Sequence, residues 1–178
     1  DALGDRLMYA AELSDVTSSI YVSRTVVGSG SVAAIRWYQL PIKSVNATKA
    51  TSTYGAVIAS TYSPTDGLFR WMPSIAVNKN GEMAIGFSTS SSKTYPTVAV
   101  VGRSRSSNLS ATLDIKETTL VAGGGSQSGG YNRWGDYSRM SVDPVDSCTF
   151  WYTTEYYSAT GNNWNTWIAP FKLDTATC

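Results

Sequence analysis

Apolar residues come in short runs rich in Val, Ile, Tyr, Trp and Phe, and each run is closed by Gly, Ser, Asn, Asp or Pro. Short runs bounded by turn formers predict β-strands, and no helix is predicted. Eleven strands follow from the pattern, over 6–13, 19–27, 33–40, 51–60, 73–77, 82–88, 97–103, 118–122, 138–142, 148–156 and 166–173. Asn78-Lys79-Asn80-Gly81 and Asp143-Pro144-Val145-Asp146-Ser147 have hairpin-turn chemistry, with Gly supplying positive φ and Asn or Asp bonding the nearby backbone. The run Gly123 to Gly130 reads as a flexible loop. It would need a following helix to cradle a phosphate, and the pattern contains none.

The strands fall into a repeat. Arg70-Trp71-Met72-Pro73-Ser74-Ile75-Ala76-Val77-Asn78, followed by Met83-Ala84-Ile85-Gly86-Phe87, is echoed by Arg133-Trp134, by Tyr137-Ser138-Arg139-Met140-Ser141-Val142-Asp143 and by Thr149-Phe150-Trp151-Tyr152. A degenerate third copy starts at Asp5-Arg6-Leu7-Met8-Tyr9, so Arg6, Arg70 and Arg133 recur at intervals of 64 and 63 residues. Each interval holds four strands, which is the make-up of a β-propeller blade. The expected architecture is all-β: a single propeller-half domain over 1–178, with four-stranded antiparallel blades at about 4–62, 68–122 and 131–178, the last of them incomplete. Closed propellers have about four to eight blades. Either a second polypeptide, the N-terminal half of the same precursor, or a second copy in a homo-oligomer is therefore expected to close the ring. An eleven-stranded β-sandwich is the alternative.

Composition narrows the chemistry. With Lys+Arg 14 against Asp+Glu 13, a net charge of +1 gives no electrostatic reason to expect nucleic acid or an anionic membrane. The absence of histidine excludes a Ser-His-Asp or Cys-His triad, a histidine base and a histidine-ligated metal. No cofactor is expected, and no apolar run is long enough to span a membrane as a helix. Ser and Thr make up about a quarter of the chain, beside 6 Trp and 11 Tyr, a balance typical of β-rich extracellular domains. Cys148 and Cys178 read as a disulfide, and so as an oxidising, extracellular setting; two separate reduced thiols are the alternative. The start at Asp1 fits a secretory leader already removed. Asn46-Ala47-Thr48 and Asn108-Leu109-Ser110 are glycosylation sequons.

Ser74-Ile75-Ala76-Val77-Asn78-Lys79-Asn80-Gly81 followed by an aromatic resembles the Asp-box, or bacterial neuraminidase repeat, of sialidase-like propellers, with Asn78 where that pattern usually has Asp. Arg133 to Pro144 together with Cys148 to Tyr157 resembles the C-terminal half of large secreted bacterial propeller proteins. The resemblance implies a propeller fold and secretion. It also gives the arginines a meaning: Arg6, Arg70 and Arg133 would gather at one channel mouth and clamp an anion, as sialidases bind a sugar carboxylate. Alternatively each arginine stacks on an aromatic or pairs with an acid, for example Arg133 with Asp136. Sialidase chemistry needs a tyrosine nucleophile with a glutamate base and a separate acid, for which Tyr137 or Tyr156, Glu155 and Asp136 are the local candidates.

Trp71 and Trp134 are candidates to stack on sugar rings or, alternatively, to pack between blades. Trp164 and Trp167, beside Gly161-Asn162-Asn163, are candidates for exposed aromatic contacts. Asp143 and Asp146 are either two ligands of a structural calcium ion or turn residues. The leading expectation is a secreted binding module for a glycan or a surface partner. Part of a sialidase-like glycoside hydrolase and a structural or adhesive scaffold are the alternatives.

Overall fold

The structure is a computed structural model that describes residues 7, 11–107, 110–130, 133–173 and 178. Among them are twelve strands: β1 (Glu12–Ser14), β2 (Ser19–Val27), β3 (Ala33–Asn46), β4 (Thr51–Tyr54), β5 (Ile58–Tyr62), β6 (Phe69–Val77), β7 (Met83–Ser91), β8 (Thr94–Arg103), β9 (Ile115–Val121), β10 (Arg139–Val142), β11 (Phe150–Tyr156) and β12 (Asn165–Phe171). They make three antiparallel sheets in chain order. The first is β1-β2-β3-β4 with β5 also on β3, the middle one is β6-β7-β8-β9 and the third is β10-β11-β12.

β4 and β5 lie end to end along one edge of β3, pairing with Ile42–Asn46 and Ile35–Gln39 respectively. The strand predicted over 51–60 is therefore two. At that level β3 carries Pro41, which has no N–H, and its ladder shifts register between Ile42 and Ser44. The partition of the repeat into successive sheets is observed. The predicted 6–13 strand is seen only as β1; residues 6 and 8–10 lie outside the described set, as do Asn108 and Leu109 of the second sequon.

The middle sheet is covered on both faces, which explains why β6, β7 and β8 are buried almost without interruption. Period-two alternation sends Ile75, Val77, Met83, Ile85, Phe87 and Val101 to the first sheet, where Tyr21, Ile35 and Trp37 meet them. The intervening Ala76, Ala84, Val98 and Val100 face Met140, Phe150 and Tyr152 of the third sheet. Gly86 belongs to this second set, since a Cβ there would lie 2.7 Å from the Tyr152 ring.

Polar clasps fix the stacking. β6 is bulged between Trp71 and Ser74, and Met72 in the bulge has φ 54°, in the left-handed region. The Met72 N–H donates to Thr25 Oγ1 of the first sheet at 3.1 Å, and its carbonyl accepts from Ser138 Oγ ahead of β10 at 3.0 Å. The Met140 N–H donates to Ser74 Oγ at 2.8 Å. The β1–β2, β6–β7 and β10–β11 turns meet at one end of the stack: Lys79 N–H donates to the Ser147 carbonyl at 2.8 Å, and the Gly81 position adjoins Thr17 and Val16. The Cys148–Cys178 disulfide joins this end, with Cα atoms 5.8 Å apart.

Candidate functional site

A cleft of about 530 Å³ opens on the uncovered face of the third sheet, at the end away from the β10–β11 turn. Thr153 and Glu155 of β11 and Thr166 of β12 form its floor. These side chains point away from the middle sheet because their neighbours Tyr152 and Thr154 point into it. One wall is the segment before β10, with Arg133, Gly135, Asp136 and Tyr137; the other brings in Gln127, Asn162 and Trp164.

Both walls depend on glycine. Gly124 and Gly125 lie so close to Ser158, Ala159 and Thr160 that a Cβ on either would fall within 2.2 Å of that backbone. Gly124 N–H donates to the Tyr157 carbonyl at 2.9 Å, and Ser128 N–H to the Gly161 carbonyl at 2.8 Å. The run predicted as a flexible loop is instead pinned along the β11–β12 connection, because only glycine allows the two backbones so close. On the other wall Gly135 has φ 48°, and its N–H donates to Glu155 Oε2.

Beneath the cleft Trp134 crosses Trp71 edge-on with centroids 4.9 Å apart and lies 5.3 Å from the buried Tyr157. The repeated tryptophans thus pack between sheets, as the alternative reading had it. Trp164 is 64% exposed at the rim and Tyr137 is 72% exposed. Trp167 takes a different position, on the side of β12 that faces the middle sheet, 5.6 Å from the Tyr156 ring.

The arginines have unlike surroundings. Arg70 is buried, and its five N–H groups bond Asp66 twice, Glu117 twice and the Leu68 carbonyl, with the Tyr62 ring 5.3 Å away. No donor is left for a ligand. Burial works against its charge, but the two carboxylates hold its pKa above the usual value, and in return Asp66 is held down at about 2. Arg133 is exposed in the cleft wall and paired with Asp136. Arg6 lies outside the described residues.

Tyr137, Glu155 and Asp136 line the same cleft, an assembly that the sequence suggested only through proximity along the chain. The two carboxylates are driven apart in acidity. Burial raises Glu155 above the usual range against the pull of the Gly135 N–H, while the Arg133 guanidinium lowers Asp136. Glu155 Oε1 is shielded from solvent, and the Tyr157 hydroxyl helps to hold the carboxylate's charge.

Asp143 and Asp146 spend their oxygens on the turn. Asp143 accepts from Val145 N–H and Trp151 Nε1, and Asp146 from Cys148 and Thr149 N–H and the Thr149 hydroxyl. Those bonds hold Asp146 well below the ordinary carboxylate range. Sequence reasoning missed Gln127 and Asn162, which the glycine contacts bring to the cleft. It also missed Arg103, a fully buried guanidinium at the end of an apolar run, where strand-end arginines are ordinarily solvated.

Comparison with protein-family models, curated proteins and solved structures finds no match to this chain.

Proposed function

We propose that this chain is a secreted binding module, a run of β-propeller blades completed by a partner, and that the cleft of the third sheet takes a glycan. The observation that carries the reading is the cleft's lining. It combines two exposed aromatic rings, Trp164 and Tyr137, with a guanidinium, two carboxylates, two carboxamides and three threonines, which suits a ligand that presents both C–H faces and hydroxyls. The disulfide and the lack, among the described residues, of any helix fit to cross a membrane are compatible with an extracellular site. The stacking of three successive antiparallel sheets with their turns at one end supports the propeller reading.

A glycan array probed with the purified chain tests it. Binding that is lost in Trp164→Ala, with the melting temperature unchanged, is expected; an array without a hit, or one on which Trp164→Ala binds as well as the parent, overturns the assignment.

The divergent acidities of Glu155 and Asp136 beside Tyr137 favour a second reading, a glycoside hydrolase of sialidase type. Release of chromophore from aryl sialosides that is abolished by Glu155→Gln would select it over simple binding.

A further inference from the structure

The outer face of the first sheet is built to be covered. On the middle and third sheets, the face turned toward the preceding sheet carries the large apolar residues, Ile75, Ile85 and Phe87 on one and Met140, Phe150 and Tyr152 on the other. The corresponding face of the first sheet carries Leu13, Ile20, Val22, Tyr38 and Leu40, and Leu13 is 60% exposed. Next to them Arg24 and Arg36 stand directly opposite each other in the β2–β3 register, a placement of like charges that is unfavourable without a counter-charge. Neither has an ion pair among the described residues. Arg36 is occupied with Thr61 Oγ1 and the Tyr38 ring, while Arg24 Nε is shielded from solvent and has no partner.

We infer that this face seats the third sheet of a second copy of the chain, head to tail. The outer faces match row by row when the existing stacking, turn end on turn end, is continued. Nearest the turn, Trp151 and Pro170 of the third sheet would meet Leu13, Ile20 and Leu40. In the next row Ile168 and Thr153 meet Val22 and Tyr38. In the row after that Glu155 meets Arg24 and Arg36, so a carboxylate on one face supplies the counter-charge that the two facing guanidiniums on the other lack. Head-to-tail contacts either close into a ring or run on as a filament. Three sheets per chain close within the usual range of four to eight blades only as a dimer. The second copy's first sheet then becomes a further wall of the cleft, and its arginines compete for the carboxylate that the hydrolase reading assigns to catalysis. The inference shares the propeller reading but not the glycan assignment.

Analytical ultracentrifugation of the full chain over a range of concentrations tests it, with no glycan present. The expected result is a species of twice the 19.1 kDa chain mass at high concentration. The double variant Arg24→Glu/Arg36→Glu and the variant Glu155→Arg should each weaken association by roughly a hundredfold or more. Mixing those two variants should restore it, because each new contact again joins opposite charges, and this recovery shows that both variants fold. A parent chain that stays monomeric, or a mixture no more associated than its components, overturns the inference. Monomeric chain that still binds on the glycan array would leave the binding reading standing and remove only the dimer.

Discussion

Between the first and middle sheets the interior holds a guanidinium: Arg103 is fully buried, donates to Gln39 Oε1 at 2.8 Å and to the Ser110 carbonyl at 2.9 Å, and lies 5.1 Å from the Trp37 ring. Between the middle and third sheets there are instead small residues on one side, Ala76, Ala84 and Gly86, and Phe150 and Tyr152 on the other. The first seam adds directional bonds around a charge to its apolar cluster, with no carboxylate in ion-pair contact among the described residues, and burial lowers the pKa of that guanidinium. The second has no buried guanidinium among the described residues and joins shape to the Ser74 and Ser138 clasps. Two neighbouring copies of one repeat thus hold the same stacking geometry by different means, which shows that the repeat specifies the strand order and the alternation but not the chemistry of the contact.

The strongest way to break this contrast is Arg103→Ala, which leaves the Gln39 carbonyl and the Trp37 face without their partner. A loss of about 3–5 kcal/mol in urea unfolding is expected. Arg103→Met separates volume from charge. If the methionine variant is as stable as the parent, the first seam too is held by shape and the comparison fails. The disulfide belongs to the second seam's end of the contrast. Replacing Cys148 and Cys178 by Ser opens a loop with a sequence separation of 30 and should cost roughly 3–4 kcal/mol in the chain-entropy model. The same drop should follow addition of reductant to the parent chain and be absent from the variant.

Gly86→Ala probes the second seam alone. Forcing a methyl group against the Tyr152 ring should cost about 1–3 kcal/mol, most of it recovered when Tyr152→Leu is added, as a double-mutant cycle would show. An additive cycle would mean that the glycine serves the strand and not the contact. The smallest effect is electrostatic. Asp66 is depressed from its ordinary value near 3.8 to about 2 by Arg70, so the stability it contributes is present above pH 3.8 and fades as the pH falls toward 2. Since Asp66 is 43% exposed, its pairing is worth less than ~1 kcal/mol after solvent screening. Asp66→Asn should flatten that part of the acid-unfolding curve and remove the same small contribution, less than ~1 kcal/mol, near neutral pH.

Much of the fold could be read from the residues because alternation and turn chemistry are local. Asn78 to Gly81 and Asp143 to Ser147 do form the turns their composition implies, and the repeat divides the chain into the three sheets seen. The burial of Arg103 could not be read, since nothing near it in the chain announces that Tyr21 and Gln39 will close over it. The cleft was half legible. Tyr137, Glu155 and Asp136 are close in sequence, but the wall that carries Gln127 and Asn162 depends on Gly124 and Gly125 lying against residues more than thirty positions away. Arg70 and Arg133 share a repeat position yet differ in solvation, because Asp66 and Glu117 flank only the first.

The bulge at Met72 gives the stack a built-in readout of cooperativity. Its amide is tied to the first sheet through Thr25, whereas the amide of Met140 is tied across the other seam through Ser74. Hydrogen exchange at those two sites therefore times the opening of each seam separately. Equal protection would mean that the three sheets come apart as a single unit; unequal protection would identify which outer sheet peels away first, and hence which face of the middle sheet is the earlier to become adhesive.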